Sequence, residues 1–158
     1  MDKESLKFMQ QALEVASGNA SSQGGGPFGA VVVKDGKVIS SAGNSVTPDN
    51  DPTAHAEVNA IREACRKLGT FDLSGCTLYT SCEPCPMCLS ASYWARLDKI
   101  YFAADRNDAA KAGFSDAFIY DQFALPAQMR SLPAERIMEQ EGIEPFDLWI
   151  RNENKQPY

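Results

Sequence analysis

His55-Ala56-Glu57, followed further along by Pro84-Cys85-Pro86-Met87-Cys88, is the pair of stretches on which the reading of this chain turns. One imidazole and two thiolates are ligands of the types that zinc prefers. Three protein ligands leave the fourth position of a tetrahedral ion open. Water held there loses a proton near neutral pH and becomes a nucleophile. Glu57 stands two residues from His55, tethered beside such an ion and able to shuttle protons. His55 is the only histidine in the chain, and it falls on the ligand position.

The same residues admit other arrangements. Cys82, Cys85 and Cys88 are evenly spaced, and with His55 they would close a Cys3His structural site that has no open position. Such a site has no use for Glu57, nor for a proline directly before Cys85. A disulfide framework fits poorly with an odd count of five cysteines. Cys65 and Cys76 read as small core residues.

The chain has 158 residues, enough for one domain with a real core, and 44% of them are hydrophobic. Its first residues, Met1-Asp2-Lys3-Glu4-Ser5, lack the apolar run of a secretory signal, and no run approaches a membrane span. The expected compartment is the cytoplasm, where thiols stay reduced. The formal net charge is −6. A protein that grips a phosphate backbone normally carries a basic face. Here the densest basic group is Arg62, Arg66 and Lys67, spaced to lie on the solvated face of a helix. Charge therefore argues against a nucleic-acid substrate, and the lack of an apolar run against a membrane partner.

Periodicity gives the order of elements. Residues 5–17 form an amphipathic helix with Leu6, Met9, Leu13 and Ala16 inward. Gly24-Gly25-Gly26-Pro27 ends it. Ala30 to Val33 and Lys37 to Ser40 form a hairpin around Asp35-Gly36. Thr53 is the expected N-cap of a helix over residues 54–68, closed at Gly69. Residues 76–80 form a strand, 85–94 a short helix and 99–103 another strand. Residues 105–133 are irregular with short helical pieces. Residues 136–138 are the expected last strand, and Pro145 opens a C-terminal helix to about residue 154. The expected architecture is a three-layer α/β/α domain over residues 1–158, with one central mixed five-stranded sheet. Both ligand segments then lie at the start of a helix, where partial positive charge favours thiolates and a hydroxide.

Taken together, Pro27-Phe28-Gly29-Ala30, Asn44, His55-Ala56-Glu57 and Pro84-Cys85-Pro86-Met87-Cys88 resemble the cytidine deaminase-like superfamily of zinc deaminases. The chain is most similar to its bacterial guanine deaminase branch through Asp51-Pro52-Thr53-Ala54, Tyr79-Thr80-Ser81-Cys82-Glu83, Tyr93-Trp94-Ala95-Arg96 and the run from Ala112 to Tyr120. The likeness continues to Tyr158. It implies one Zn2+ per subunit on His55, Cys85 and Cys88, and Glu57 as the proton shuttle. It further implies Asp116 at the guanine edge as a second catalytic group, Phe28 stacked on the base, and Asn44 bonded to the ring edge. Ala56 would also bind substrate, Trp94 would line the pocket floor and Tyr158 would close the site.

Residue types alone leave other roles open for several of these. Phe28 could plug the core, Asn44 could serve a turn, Trp94 could be core, and Asp116 could cap a helix. The implied reaction is hydrolysis of guanine to xanthine and ammonia. Guanosine, a cytosine-type base or a tRNA adenosine are the alternative substrates, and a structural-zinc binding module is the alternative outside catalysis. The branch also implies a homodimer whose C-terminal segment, about residues 145–158, is exchanged. Phe146, Trp149 and Ile150 form an apolar stripe there that must pack somewhere.

Overall fold

A helix laid on one face of a hairpin sets the first layer. The computed structural model describes residues 3–22 and 24–158. It divides into two units, Met1–Tyr120 and Asp121–Tyr158, each described by itself. In the first, α1 (Lys3–Ala20) is followed by β1 (Gly29–Lys34) and β2 (Lys37–Gly43). The short α2 (Val46–Asp49) and then α3 (Ala56–Leu68) come next. β3 (Cys76–Cys82), α4 (Pro86–Trp94), β4 (Lys99–Ala104) and α5 (Arg106–Lys111) complete the framework. α6 (Asp116–Ala124) starts in this unit and crosses its boundary.

The described strands form one mixed sheet of four, in the order β2-β1-β3-β4. β1 pairs antiparallel with both β2 and β3, whereas β3 and β4 are parallel. The expected fifth strand at residues 136–138 is absent from the described residues, and that stretch has no regular structure. Met138 has φ of 53°, a left-handed conformation that a strand cannot contain. Arg136 instead pairs with Glu139 at 2.8 Å, a local contact.

β1 is buried along almost its whole length, because side chains on both of its faces meet helices. Ala30 and Val32 face a core with Leu78, Ala60, Ile61 and Ala64, and so meet α3. Val31 and Val33 face Phe8, Ala12 and Tyr79, and so meet α1. Helices therefore cover both faces of the sheet, as the sequence leads one to expect.

The inward face of α1 differs from the expected one. Ser5, Phe8, Ala12 and Ala16 are buried, whereas Leu6 is 54% exposed. The reason is close approach. A Cβ on Gly29 would lie 2.3 Å from the Ala12 carbonyl oxygen and 2.7 Å from the Ala16 nitrogen. Helix backbone rests directly on strand backbone there, so only small residues fit between them.

Thr53 is not the cap of α3. Its hydroxyl and N–H both donate to Asp51 Oδ1, at 2.7 and 2.8 Å, in a turn of their own. The cap is His55, with φ −70° and ψ 154°, and α3 ends at Gly69 as expected.

The second unit holds two single 3-10 turns, Ala127–Met129 and Glu141–Ile143, and then α7 (Glu144–Arg151). Pro145 sits in the first turn of α7. The helix stops before residue 154, and Lys155 Nζ donates to the Ile150 carbonyl at 2.8 Å. Phe146, Trp149 and Ile150 are exposed.

Candidate active site

Both ligand segments cap helices. His55 is the N-cap of α3 and Cys85 the N-cap of α4, with Pro86 in its first turn. Cys88 follows one turn later on α4, and Glu57 is the second residue of α3. Two helix N-termini thus converge, each with unpaired N–H groups and partial positive charge. The donor atoms of His55, Cys85 and Cys88 all lie within 4.8 Å of one another. Cys85 Sγ is 3.6 Å and Cys88 Sγ 3.5 Å from His55 Nδ1. A tetrahedral zinc ion, with Zn–S of about 2.3 Å and Zn–N of about 2.0–2.1 Å, separates N from S by roughly 3.5 Å. The geometry fits the ion.

The electrostatics of the cluster also suit a cation. The hydrogen bond from Cys88 holds the Cys85 thiol down to about 4, and the same shared proton pushes Cys88 up. The pair carries one negative charge readily, and a divalent cation supplies what the second needs. Contact with Cys85 raises His55. Cys82 stays outside the group: its thiol donates to the Asp105 carbonyl at 3.6 Å, and burial pushes it up to about 11. The Cys3His arrangement is not built. All five cysteines are free.

His55 and Cys85 open on a cavity of about 440 Å³. Phe28, Asn44, His55, Glu57, Cys85 and Asp116 line it, with Glu83 and Phe114. Glu57 is 6% exposed, and burial pushes its carboxyl up to about 7. Burial raises Asp116 as well. Phe28 meets Phe114 edge to face, ring centroids 4.7 Å apart, which makes one aromatic wall.

Asn44 is buried and oriented. Its Oδ1 accepts from Gly26 N–H at 3.1 Å and from Val46 N–H at 3.2 Å. The opposite orientation would set its amide N–H groups against two donors. The side chain therefore offers N–H to the cavity. Asn19 braces this corner from α1, donating to the Gly26 carbonyl at 3.1 Å and the Asn44 carbonyl at 2.8 Å. Gly25 is required there: its φ is 129°, and a Cβ would lie 2.0 Å from the Asn44 carbonyl oxygen.

Not every expected residue lies in this cavity. Trp94 is not among its lining residues and is 67% exposed at the end of α4, six residues beyond Cys88. The Ala56 side chain packs in the core rather than in the cavity, although its N–H belongs to the first turn of α3. Tyr158 belongs to the second unit. Among the lining residues that the sequence leaves without a role are Phe114 and Glu83. Phe114 stands two residues before Asp116, and Glu83 two before Cys85, so proximity to those positions was the available signal.

Residues 2–104 match the family model of the cytidine and deoxycytidylate deaminase zinc-binding region. The chain belongs to this family. It is 50% identical over 151 residues to guanine deaminase of Bacillus subtilis, covering 96% of this chain and 97% of that one. An X-ray structure of guanine deaminase from Bacillus subtilis matches with a TM-score of 0.94 at 49% identity, over 100% of this chain and 99% of the other. A tRNA-specific adenosine deaminase of Aquifex aeolicus is 50% identical over 97 residues, which are 61% of this chain and 64% of that one. The chain is a zinc-dependent deaminase, and His55, Cys85 and Cys88 form a group that fits the ion. No described helix is long and apolar enough to cross a membrane.

Proposed function

We propose that this chain hydrolyses guanine, using water, to xanthine and ammonia. The observation that carries the proposal is one cavity lined by His55 and Cys85 of the zinc group, Glu57, Asp116, an oriented Asn44 and an aromatic wall. Near-full-length identity to a guanine deaminase supports the choice of base. Zinc, when bound, supplies the Lewis acidity that makes a water nucleophilic near neutral pH. Glu57 takes the proton from the attacking water and returns protons to the ring and to the departing amine. Burial raises the Glu57 carboxyl toward the range in which a proton is readily exchanged. Phe28 and Phe114 hold the flat base, and Asn44 donates to an acceptor on its edge. The Ala56 N–H, at the start of α3, is a further donor toward the substrate. Asp116 faces the donors of the guanine edge.

We further propose that residues 1–158 act as a single deaminase domain, in the cytoplasm, where its five free thiols stay reduced. The α7 stripe of Phe146, Trp149 and Ile150 needs a cover, and a second copy of the chain provides it in a homodimer with exchanged C-terminal segments. Tyr158 then closes the neighbouring subunit's site. Tyr158→Ala should lower guanine turnover by roughly tenfold, about 1.4 kcal/mol in barrier terms. Unchanged turnover in that variant contradicts the closure.

Ammonia release from guanine, guanosine, adenine, cytosine, cytidine and a tRNA anticodon stem tests the substrate. Guanine should be the fastest by at least an order of magnitude. Faster release from guanosine, or from the tRNA stem, overturns the assignment. The net charge of −6 speaks against the latter.

A further inference from the structure

The turn that delivers Cys85 to the metal is held from outside the cavity. β3 and β4 are parallel with Cys82 opposite Ala104, so the chain leaves both strands at one edge. Glu83 N–H donates to the Ala104 carbonyl at 2.8 Å. Asp105 then caps α5 with its side chain, accepting from Asn107 N–H at 2.8 Å and Asp108 N–H at 2.9 Å. That cap fixes Arg106 as the first residue of the helix.

Arg106 reaches back to Glu83. Its Nε donates to Glu83 Oε2 at 3.0 Å and its backbone N–H to the same oxygen at 3.1 Å. Its Nη2 donates to Glu83 Oε1, completing a two-pronged pair. The guanidinium also lies 3.6 Å from the centroid of the Tyr120 ring. Tyr120, on α6, donates its hydroxyl proton to the Pro84 carbonyl at 2.7 Å. The two residues directly before Cys85 are thus both gripped by one cluster. Neither Arg106 nor Tyr120 has a part in the chemistry described above.

We infer that Arg106 and Tyr120 are positioning residues of the zinc site. They fix the Glu83-Pro84-Cys85 turn so that Cys85 stands ready beside His55 and Cys88. They also keep the Glu83 carboxylate occupied. Glu83 lines the same cavity as Cys85, and a released carboxylate is a zinc ligand type that would compete for the open position. Lysine would not replace Arg106, because the paired prongs and the stacked plane both need a guanidinium. The inference rests on the zinc site and not on which base is the substrate.

The test is zinc affinity of the full chain, measured by transfer to a chromogenic chelator, with thermal unfolding followed in parallel. Arg106→Gln should weaken zinc binding by roughly 10–100-fold, the usual effect of removing a group that orients a metal ligand. Tyr120→Phe keeps the ring and the stack, loses only the Pro84 bond, and should weaken binding by roughly threefold or more. Wild-type zinc affinity in folded Arg106→Gln overturns the inference, even if its unfolding temperature falls, because a merely structural role predicts that pattern. Should Arg106→Gln fail to fold, wild-type affinity in Tyr120→Phe overturns it alone. Absence of guanine turnover would leave these readouts untouched.

Discussion

Asn44→Asp separates the two jobs of one buried side chain. The change keeps an oxygen where Gly26 and Val46 N–H donate, at 3.1 and 3.2 Å, so the loop retains both bonds. It replaces the N–H groups that face the cavity with a second oxygen. A substrate acceptor that loses its donor in a dehydrated site costs about 1–3 kcal/mol. At about 1.4 kcal/mol per tenfold, kcat/KM for guanine should fall by roughly 5–150-fold. The upper part of that range is expected, because the new carboxylate also adds negative charge beside Glu57 and Asp116. Zinc content should stay at that of the wild type, since Asn44 is not in the ligand group. The assay is xanthine formation under kcat/KM conditions, with metal content measured on the same samples. Wild-type kcat/KM in Asn44→Asp would refute the reasoning that Asn44 acts as a donor.

Further outcomes follow from the same geometry. Glu57→Gln should keep zinc and fold but lose turnover by about 10²–10⁴-fold or more, as for removal of a positioned proton carrier; near-normal turnover contradicts its role. Cys82→Ser should retain zinc, whereas Cys85→Ser should lose it, and metal analysis of both variants decides whether Cys82 stands outside the site. The Arg106 guanidinium holds the Glu83 carboxyl below its ordinary range, so its stabilising effect is present at pH above the unfolded value of about 4.3 and fades as pH falls through the folded value. Urea unfolding should show wild type more stable than Glu83→Gln near neutral pH. That gap should close on acidification, and a gap that persists below the folded value contradicts the pairing.

The parts of this molecule that were legible in its sequence are those with a local cause. β1 announces itself as Ala30-Val31-Val32-Val33 because it is buried on both faces. The zinc group is legible because His55, Cys85 and Cys88 have few other uses at that spacing. The parts that were not legible depend on contacts distant in the chain. The buried face of α1 follows small residues, Ala12 and Ala16, dictated by Gly29 on another element, whereas Leu6 attracts attention by size alone. Thr53 has the chemistry of a cap but spends it on Asp51. Residues 136–138 have a strand-like composition, and a left-handed Met138 forbids the strand. Trp94 stands near the motif in sequence, yet it ends a short helix and is exposed there. The pairing of Glu83 with Arg106 spans 23 positions and exists because β3 and β4 are parallel neighbours. No periodicity in the sequence reports that register.

The most direct test joins the metal to the reaction. Protein stripped of zinc should convert no guanine, and one equivalent of zinc per chain should restore stoichiometric formation of xanthine and ammonia. Restoration should saturate at one equivalent, since one group of three ligands is found among the described residues. Xanthine formation by the zinc-free protein, or none by the fully loaded protein, would contradict the account.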